Sequence, residues 1–365
     1  HQVFSSEGGI TLPPSEARIA QVEAQGGGGA MSSLFVDEEK QRGPSMFIAM
    51  DPPKHDVQRK TVSPAVSPHN LIRLEPLIRE EAGRILDALP IGEPFDWVDK
   101  VSMELTAMTL ATLFGVDQAD RRKLTRWSDV VMAQPGHGVV DTWEQKRQEM
   151  TEYGMYFLKL WHERLASAPA GDLISMLAHG EETRGMDQFE YLGNVILLTI
   201  GGNDTTRNTI SGSVYALNKN PDQYDKLRKD PELIPSMVSE TIRWQTPLAH
   251  MRRTALSDFE FQGKQMKAGD LVAMWYVSGN RDERAIAGDP NAYDITRERP
   301  RHHVAFGFGI HRCVGNRVAE LQLRIIWEEI LKRFPDIQLI EEPRRTHSVF
   351  VKGYERMLVQ IPTRN

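Results

Sequence analysis

Apolar residues recur at three- and four-residue steps through long stretches of this chain, the spacing that places them on one face of an α-helix. The pattern predicts helices over Leu71–Leu89, Trp97–Phe114, Arg121–Ala133, Trp143–Leu165, Asp187–Leu217, Pro231–Trp244 and Val314–Arg333. Strand-like stretches are short and mostly late: Phe259–Gln262, Leu271–Tyr276, Ile337–Leu339 and Leu358–Ile361. The expected fold class is therefore mainly α with small β-sheets. The first fifty residues break the pattern. Gly26–Gly29 is a flexible run in a polar stretch, and no structure is expected for Ser15–Gly43. No Pro/Ser linker divides the chain after about Met46, so residues 51–365 are expected to form one domain, with 1–50 a separate region.

Composition adds exclusions. The 365 residues are 40% hydrophobic and include 28 glycines, the make-up of an ordinary globular protein and of neither a disordered nor a fibrous one. No run approaches the roughly 18 uncharged apolar residues of a membrane-spanning helix, and no secretory signal opens the chain. With 44 basic against 50 acidic residues the net charge is −6, so nucleic acid is not an expected partner. A single cysteine excludes an intramolecular disulfide and a cysteine-based zinc site, and it matches a cytoplasmic location.

That cysteine lies in Phe306-Gly307-Phe308-Gly309-Ile310-His311-Arg312-Cys313-Val314-Gly315, where a glycine-rich loop leads into the helical pattern Val318–Phe334. Backbone N–H groups and the dipole at a helix N-terminus stabilise a thiolate. The glycines permit positive φ and let the backbone approach something flat. On the residues alone Cys313 is a structural cysteine in a turn, a nucleophile with His311 as its base, or a stabilised thiolate.

The spacing F-G-x-G-x-H-x-C-x-G resembles the haem-ligand loop of the cytochrome P450 monooxygenases. The resemblance implies a triangular helical prism around a buried haem b, with Cys313 as the axial thiolate of the iron. Phe306, Gly307, His311 and Gly315 would then belong to the haem-binding loop, with Arg312 on the proximal surface. Three further segments carry the resemblance. Gly201-Gly202-Asn203-Asp204-Thr205-Thr206 sits in the middle of a long helical pattern, where paired glycines cost roughly 1 kcal/mol each relative to Ala and suggest a kink or a tight helix crossing. It is also similar to the family's oxygen-binding helix, which implies Asp204 and Thr205 as the catalytic proton relay.

Glu240-Thr241-Ile242-Arg243 places an acid and an arginine one turn apart, a common surface arrangement. With Arg297 it resembles the family's buried structural network. In Asp51-Pro52-Pro53-Lys54-His55-Asp56-Val57-Gln58-Arg59, Asp51 is an expected N-cap. His55 and Arg59 share one helix face, either a solvated one or, as the resemblance implies, one turned to a haem propionate. Arg253 matches another propionate arginine, with Arg252 beside it as the alternative.

The first fifty residues depart from the family, which has a helix and a several-stranded sheet before this point, so the N-terminal part is expected to be truncated or altered. Gly26–Gly43 matches nothing in the family's pattern. Leu197, Ile200 and Gly201 share one helical face, and Leu248, Ala249, Met251 and Phe350 fall where the family lines its substrate pocket. All are apolar, which favours a hydrophobic small molecule. The segments around Gly201, Ala249 and Arg301 most resemble bacterial alkane and fatty-acid terminal (omega) hydroxylases. The expected reaction activates O2 with two externally supplied electrons and hydroxylates a terminal carbon. The alternatives are a steroid, terpene or macrolide hydroxylase, a peroxide-using relative, and a non-catalytic haem gas sensor or carrier. The expected partners are a ferredoxin and its NAD(P)H-dependent ferredoxin reductase, recruited by Arg312, Arg317 and Arg324.

Overall fold

Most of the periodic stretches reappear as elements in the computed structural model, which describes residues 3–7, 10 and 45–365. The expectations for Gly26–Gly29 and Ser15–Gly43 lie outside the described residues. The chain begins with β1 (Phe4–Ser5), α1 (Lys54–Val62), α2 (Pro68–Asp87) and β2 (Phe95–Asp96). A π-helical turn over Val98–Ser102 leads into α3 (Met103–Phe114), followed by α4 (Arg121–Met132), α5 (Trp143–Leu165) and α6 (Leu173–His179). Next come α7 (Gln188–Lys219), α8 (Pro221–Lys229), α9 (Ile234–Gln245) and β3 (His250–Ala255). Two short strands, β4 (Phe259–Phe261) and β5 (Lys264–Met266), precede β6 (Leu271–Trp275) and α10 (Asn316–Arg333). The chain closes with β7 (Gln338–Leu339), β8 (Arg344–Arg345), β9 (Tyr354–Arg356) and β10 (Leu358–Gln360).

Local chemistry sets several helix ends. Ser67 caps α2 by accepting from the N–H of Asn70, with Pro68 in the first turn. Thr142 caps α5 at the N–H of Gln145, whose side chain reaches back to the N–H of Asp141. Asp51 does not cap α1 as expected. Pro53 holds that position, and Asp51 Oδ1 instead accepts the N–H of Ser6 at 3.0 Å. Helices α6 and α8 are seven and nine residues long, too short to register as periodic stretches.

The described sheets are small and their recorded pairings antiparallel: β1-β3-β6, β2-β10-β7, β4-β5 and β8-β9. Phe4 faces Ala255, and Val359 faces both Phe95 and Leu339.

The chain forms two units. The first comprises His1–Ala65, Ala111–Gly201 and Met251–Met274. Here α5 packs on α4 and α6, α1 also packs on α6, and a ring cluster of Trp127, Tyr153 and Phe157 fills the interior. The second comprises Val66–Leu110, Gly202–His250 and Trp275–Asn365. In it α2 and α9 pack on α10, and the buried Trp327 donates from Nε1 to Ser213 Oγ at 2.7 Å. Helix α7 runs unbroken through Gly201 and Gly202.

Candidate functional site

In the second unit the cysteine loop is a wound turn. Gly307 and Gly309 adopt φ of +69° and +74°, a region that side chains with a Cβ rarely occupy. The N–H of Cys313 donates to the carbonyl of Phe306 at 2.8 Å, and that of Arg312 to Gly309 at 3.1 Å. These bonds close the loop and leave Cys313 exposed, three residues before α10 begins. A Cβ added at Gly315 would meet nothing within 4 Å. Phe308, at the tip, is 88% exposed.

The loop is braced from behind. Glu240 and Arg243, one turn apart on α9, form a bidentate pair with both contacts at 2.7 Å. Arg297 adds two more contacts to the same carboxylate, at 3.0 and 3.2 Å. The three side chains are almost wholly buried. Arg243 also donates to the carbonyls of Asn280, Pro290 and Ala292, and Arg297 to those of Ala287, Asp289 and Ala292. Arg243 thereby has an acceptor for each of its five N–H groups and Arg297 makes five contacts of its own, the pairing a buried cation requires. The expected structural network is assembled as a unit.

Asn280, which sequence reasoning missed, extends the network to the loop. Its Oδ1 accepts the N–H of Val304 at 2.7 Å, and its Nδ2 donates to Thr246 Oγ1 at 2.8 Å. Val304 lies two residues before Phe306. The His303 ring packs against that of Phe306, with centroids 5.6 Å apart. Burial, reinforced by the guanidiniums of Arg312, Arg243 and Arg301, pushes the His303 imidazole down to about 4.

On α7 the expected pocket residues and Thr205 of the relay are accessible, whereas Asp204 is not. Leu197, Ile200 and Thr205 are half-buried and Gly201 is exposed, while most of their neighbours on the helix are buried. The two glycines differ. A Cβ at Gly202 would lie 2.7 Å from Leu110 Cδ1 of α3, whereas one at Gly201 would meet nothing within 4 Å. Gly202 therefore serves a tight helix crossing, and Gly201 borders open space. Asp204 is buried, in an ion pair with Arg207 at 3.0 Å. The sequence analysis missed Arg207 as its partner, although the two stand at the same i, i+3 spacing as Glu240 and Arg243.

Leu248, Ala249 and Phe350 are brought together. The N–H of Ala249 donates to the carbonyl of Phe350 at 2.8 Å, and Leu248 bridges to Val351. Behind them the buried His250 ring packs against Phe350 and Trp275.

The first unit holds the remaining expected residues. His55 is buried on α1 and contacts Asp56 through Nδ1 at 2.8 Å, while Arg59, one turn on, is half-buried. The start of α7 holds this helix in place: Asn194 Nδ2 donates to Gln58 and its Oδ1 accepts from the N–H of Phe47, while Lys54 pairs with Glu190. On β3 alternation buries Arg252 and leaves Met251 and Arg253 half-buried on the opposite face.

Of the three arginines expected on a docking face, Arg312 and Arg317 are exposed. Arg324 is not available to such a face in the same way, because it pairs with Glu75 at 3.0 Å and Glu328 at 2.9 Å. Among the described residues no helix is long and apolar enough to cross a membrane.

Comparison with known proteins agrees with this architecture. The cytochrome P450 family model matches residues 140–349. Linalool 8-monooxygenase of Pseudomonas putida is 37% identical over 314 residues, covering 86% of this chain and 77% of that protein. Methyl-branched lipid omega-hydroxylase of Mycobacterium tuberculosis is 32% identical over 319 residues, covering 86% and 74%. The structure of cytochrome P450-153 from Novosphingobium aromaticivorans superposes with a TM-score of 0.83 at 42% identity, over 99% of this chain and 85% of that one. This chain belongs to the cytochrome P450 family. It is a bacterial P450 monooxygenase whose cofactor is haem b.

Proposed function

We propose that this chain hydroxylates the terminal carbon of medium-chain alkanes or fatty acids, with Cys313 as the thiolate that would hold the haem iron. The observation that carries the ligand assignment is the exposed thiol at the mouth of α10, on a loop wound by two positive-φ glycines. The donor set fits a haem. One soft sulfur in the second unit suits iron, and the residues proposed as propionate donors are His311 of that unit and, separately, His55, Arg59 and Arg253 of the first. Phe306, Gly307 and Gly315 shape the loop, and the open space at Gly315 suits a flat group.

When bound, haem supplies the chemistry that activates dioxygen with two delivered electrons and inserts one oxygen atom into a C–H bond. The chain's residues do the rest. Thr205, accessible on α7, holds a proton at Oγ1, and Asp204 passes protons to it. The grip on an apolar chain by shape is assigned to Leu197, Ile200, Gly201 and Met251 of the first unit and to Leu248, Ala249 and Phe350 of the second. Terminal attack needs such a grip, since only geometry favours the stronger end C–H bond over its neighbours. Exposed Arg312 and Arg317 suit an acidic ferredoxin, which a ferredoxin reductase would re-reduce.

Support for terminal attack comes from the lipid omega-hydroxylase among the relatives. A terpene substrate is the second reading, favoured by the 37% identity to linalool 8-monooxygenase. Product analysis with a ferredoxin and its reductase decides between them. Terminal alcohols from octane or dodecanoate bear out the first reading, and faster turnover of linalool with none of these products replaces it. Cys313→Ala should abolish the thiolate-type ferrous carbonyl spectrum, and a variant that retains it overturns the ligand assignment.

A further inference from the structure

Three rings meet beside the late turn of the second unit. The His250 imidazole packs against Trp275, with centroids 4.7 Å apart and planes tilted by 48°, and edge-on against Phe350 at 5.5 Å and 77°. His250 is 2% exposed and Trp275 49% exposed, so the stack runs from the surface inward. Nδ1 of His250 is buried and has no hydrogen-bond partner among the described residues. Burial lowers its imidazole below the ordinary value, which keeps the ring neutral. A buried polar atom left unpaired costs stability, so the recorded use of this side chain is as a flat ring.

The backbone on either side of Phe350 is tied down. Ser348 Oγ accepts from the N–H groups of Phe350 and Val351 at 3.1 and 3.0 Å. The carbonyl of Phe350 accepts the N–H of Ala249, and the N–H of Lys352 donates to the carbonyl of Pro247, both at 2.8 Å. These bonds fix where the residue stands. They leave the direction of its ring to side-chain packing, because a Phe side chain still chooses among staggered rotamers. Among the described residues, the ring recorded against Phe350 is that of His250. Without it a gap would open beside Phe350, into which the benzyl group could turn.

We infer that His250 is a positioning residue for regioselectivity: its ring, backed by Trp275, holds the Phe350 ring against the substrate chain and so favours attack at the terminal carbon over the carbon beside it. The inference rests on the proposed terminal hydroxylation, with Phe350 lining the pocket. A chain gripped by shape is read to the nearest carbon only if the walls stay put, since a misplacement of about 1 Å at the reacting position can change a rate by about 100-fold. A merely structural histidine would change stability and leave the product ratio alone.

The test compares the parent with His250→Ala, His250→Phe, Phe350→Ala and the His250→Ala/Phe350→Ala double variant as haem-loaded proteins. The substrate is dodecanoate, supplied with a surrogate bacterial ferredoxin and its reductase. The main readout is the ratio of terminal to subterminal hydroxy acid. Dodecanoate titration followed in the Soret band and urea unfolding supply readouts independent of turnover.

His250→Ala and Phe350→Ala should each lower the terminal-to-subterminal ratio about fivefold or more and weaken dodecanoate binding. His250→Phe keeps a ring in place and should stay within about twofold of the parent ratio. The double variant should be no worse than Phe350→Ala alone, as expected if one residue acts through the other. His250→Ala with the parent ratio overturns the inference, whatever its stability in urea. So do additive losses in the double variant, and so does a His250→Phe protein as degraded as His250→Ala. If the parent makes terminal hydroxy acid and Phe350→Ala matches its ratio, the inference falls and the proposed reaction stands. If the parent makes none, the proposed reaction falls and takes the inference with it. Should His250→Ala fail to load haem, His250→Val, which also lacks a ring, decides on the same readouts.

Discussion

Glu240 and Lys146 are both buried charges, and the protein holds them in opposite ways. Glu240 gathers two guanidiniums, which also make six backbone carbonyl contacts. Lys146 has the carbonyls of Val131 and Ala133 at 2.9 and 2.8 Å and the Trp143 ring beneath it. Burial pushes its ammonium down to about 8. An arginine–carboxylate network is held from several directions at once by directional hydrogen bonds, and so can serve as a fixed brace. A lysine caged by carbonyls ties the end of α4 to the start of α5 but sits close to its own titration.

The largest effect expected from this contrast is at Glu240. Glu240→Gln leaves two buried guanidiniums without a counter-charge and should lower unfolding stability by about 3–5 kcal/mol. A loss under about 1 kcal/mol in urea would mean the network is not the brace described. His303, beside the same arginines, sharpens the contrast on the acid side. Its folded value near 4 lies below the ordinary imidazole value, so the unfolded chain takes up the proton first as pH falls. Stability should therefore drop between about pH 6.5 and 4, by on the order of 2 kcal/mol relative to His303→Phe.

Lys146 tests the alkaline side. Its folded value is also depressed, so the unfolded chain binds the proton more tightly between about 8 and 10.5, and stability rises with pH across that window. The parent should gain about 1–2 kcal/mol on Lys146→Met from pH 8 to 10.5, and parallel unfolding curves would remove the distinction. The smallest expected effects separate two adjacent glycines. Gly202→Ala, driven against Leu110, should cost about 1 kcal/mol, whereas Gly201→Ala, facing open space, should gain a few tenths from helix propensity. Equal effects at both would show that the close crossing does not matter.

The features that could be read from the sequence are those set locally. Trp143–Leu165 is a helix over the span its periodicity predicts, because an apolar face, a Thr cap and a long run of good formers all agree. The E-x-x-R turn placed Glu240 and Arg243 on one face, and Arg297 joined them. Partners drawn from distant sequence stayed hidden. Asp51 looked like an N-cap but is taken by Ser6, 45 residues away. Asn280, the link between the network and the cysteine loop, is one asparagine in an irregular stretch with no periodic signal. Strand β3 was missed because His-Met-Arg-Arg-Thr-Ala carries two arginines, and only the fold reveals that alternation buries Arg252 and leaves Arg253 half-buried on the opposite face.

The cysteine loop is fastened at its root, where Val304 meets Asn280, and its tip at Phe308 projects almost wholly into solvent. That division separates two kinds of selection. Pressure on the placement of the sulfur acts through α9 and Asn280, whereas pressure on the outer contour acts through residues such as Phe308. Descendant lineages can therefore redraw the tip to suit a new protein partner while inheriting the thiol geometry unchanged.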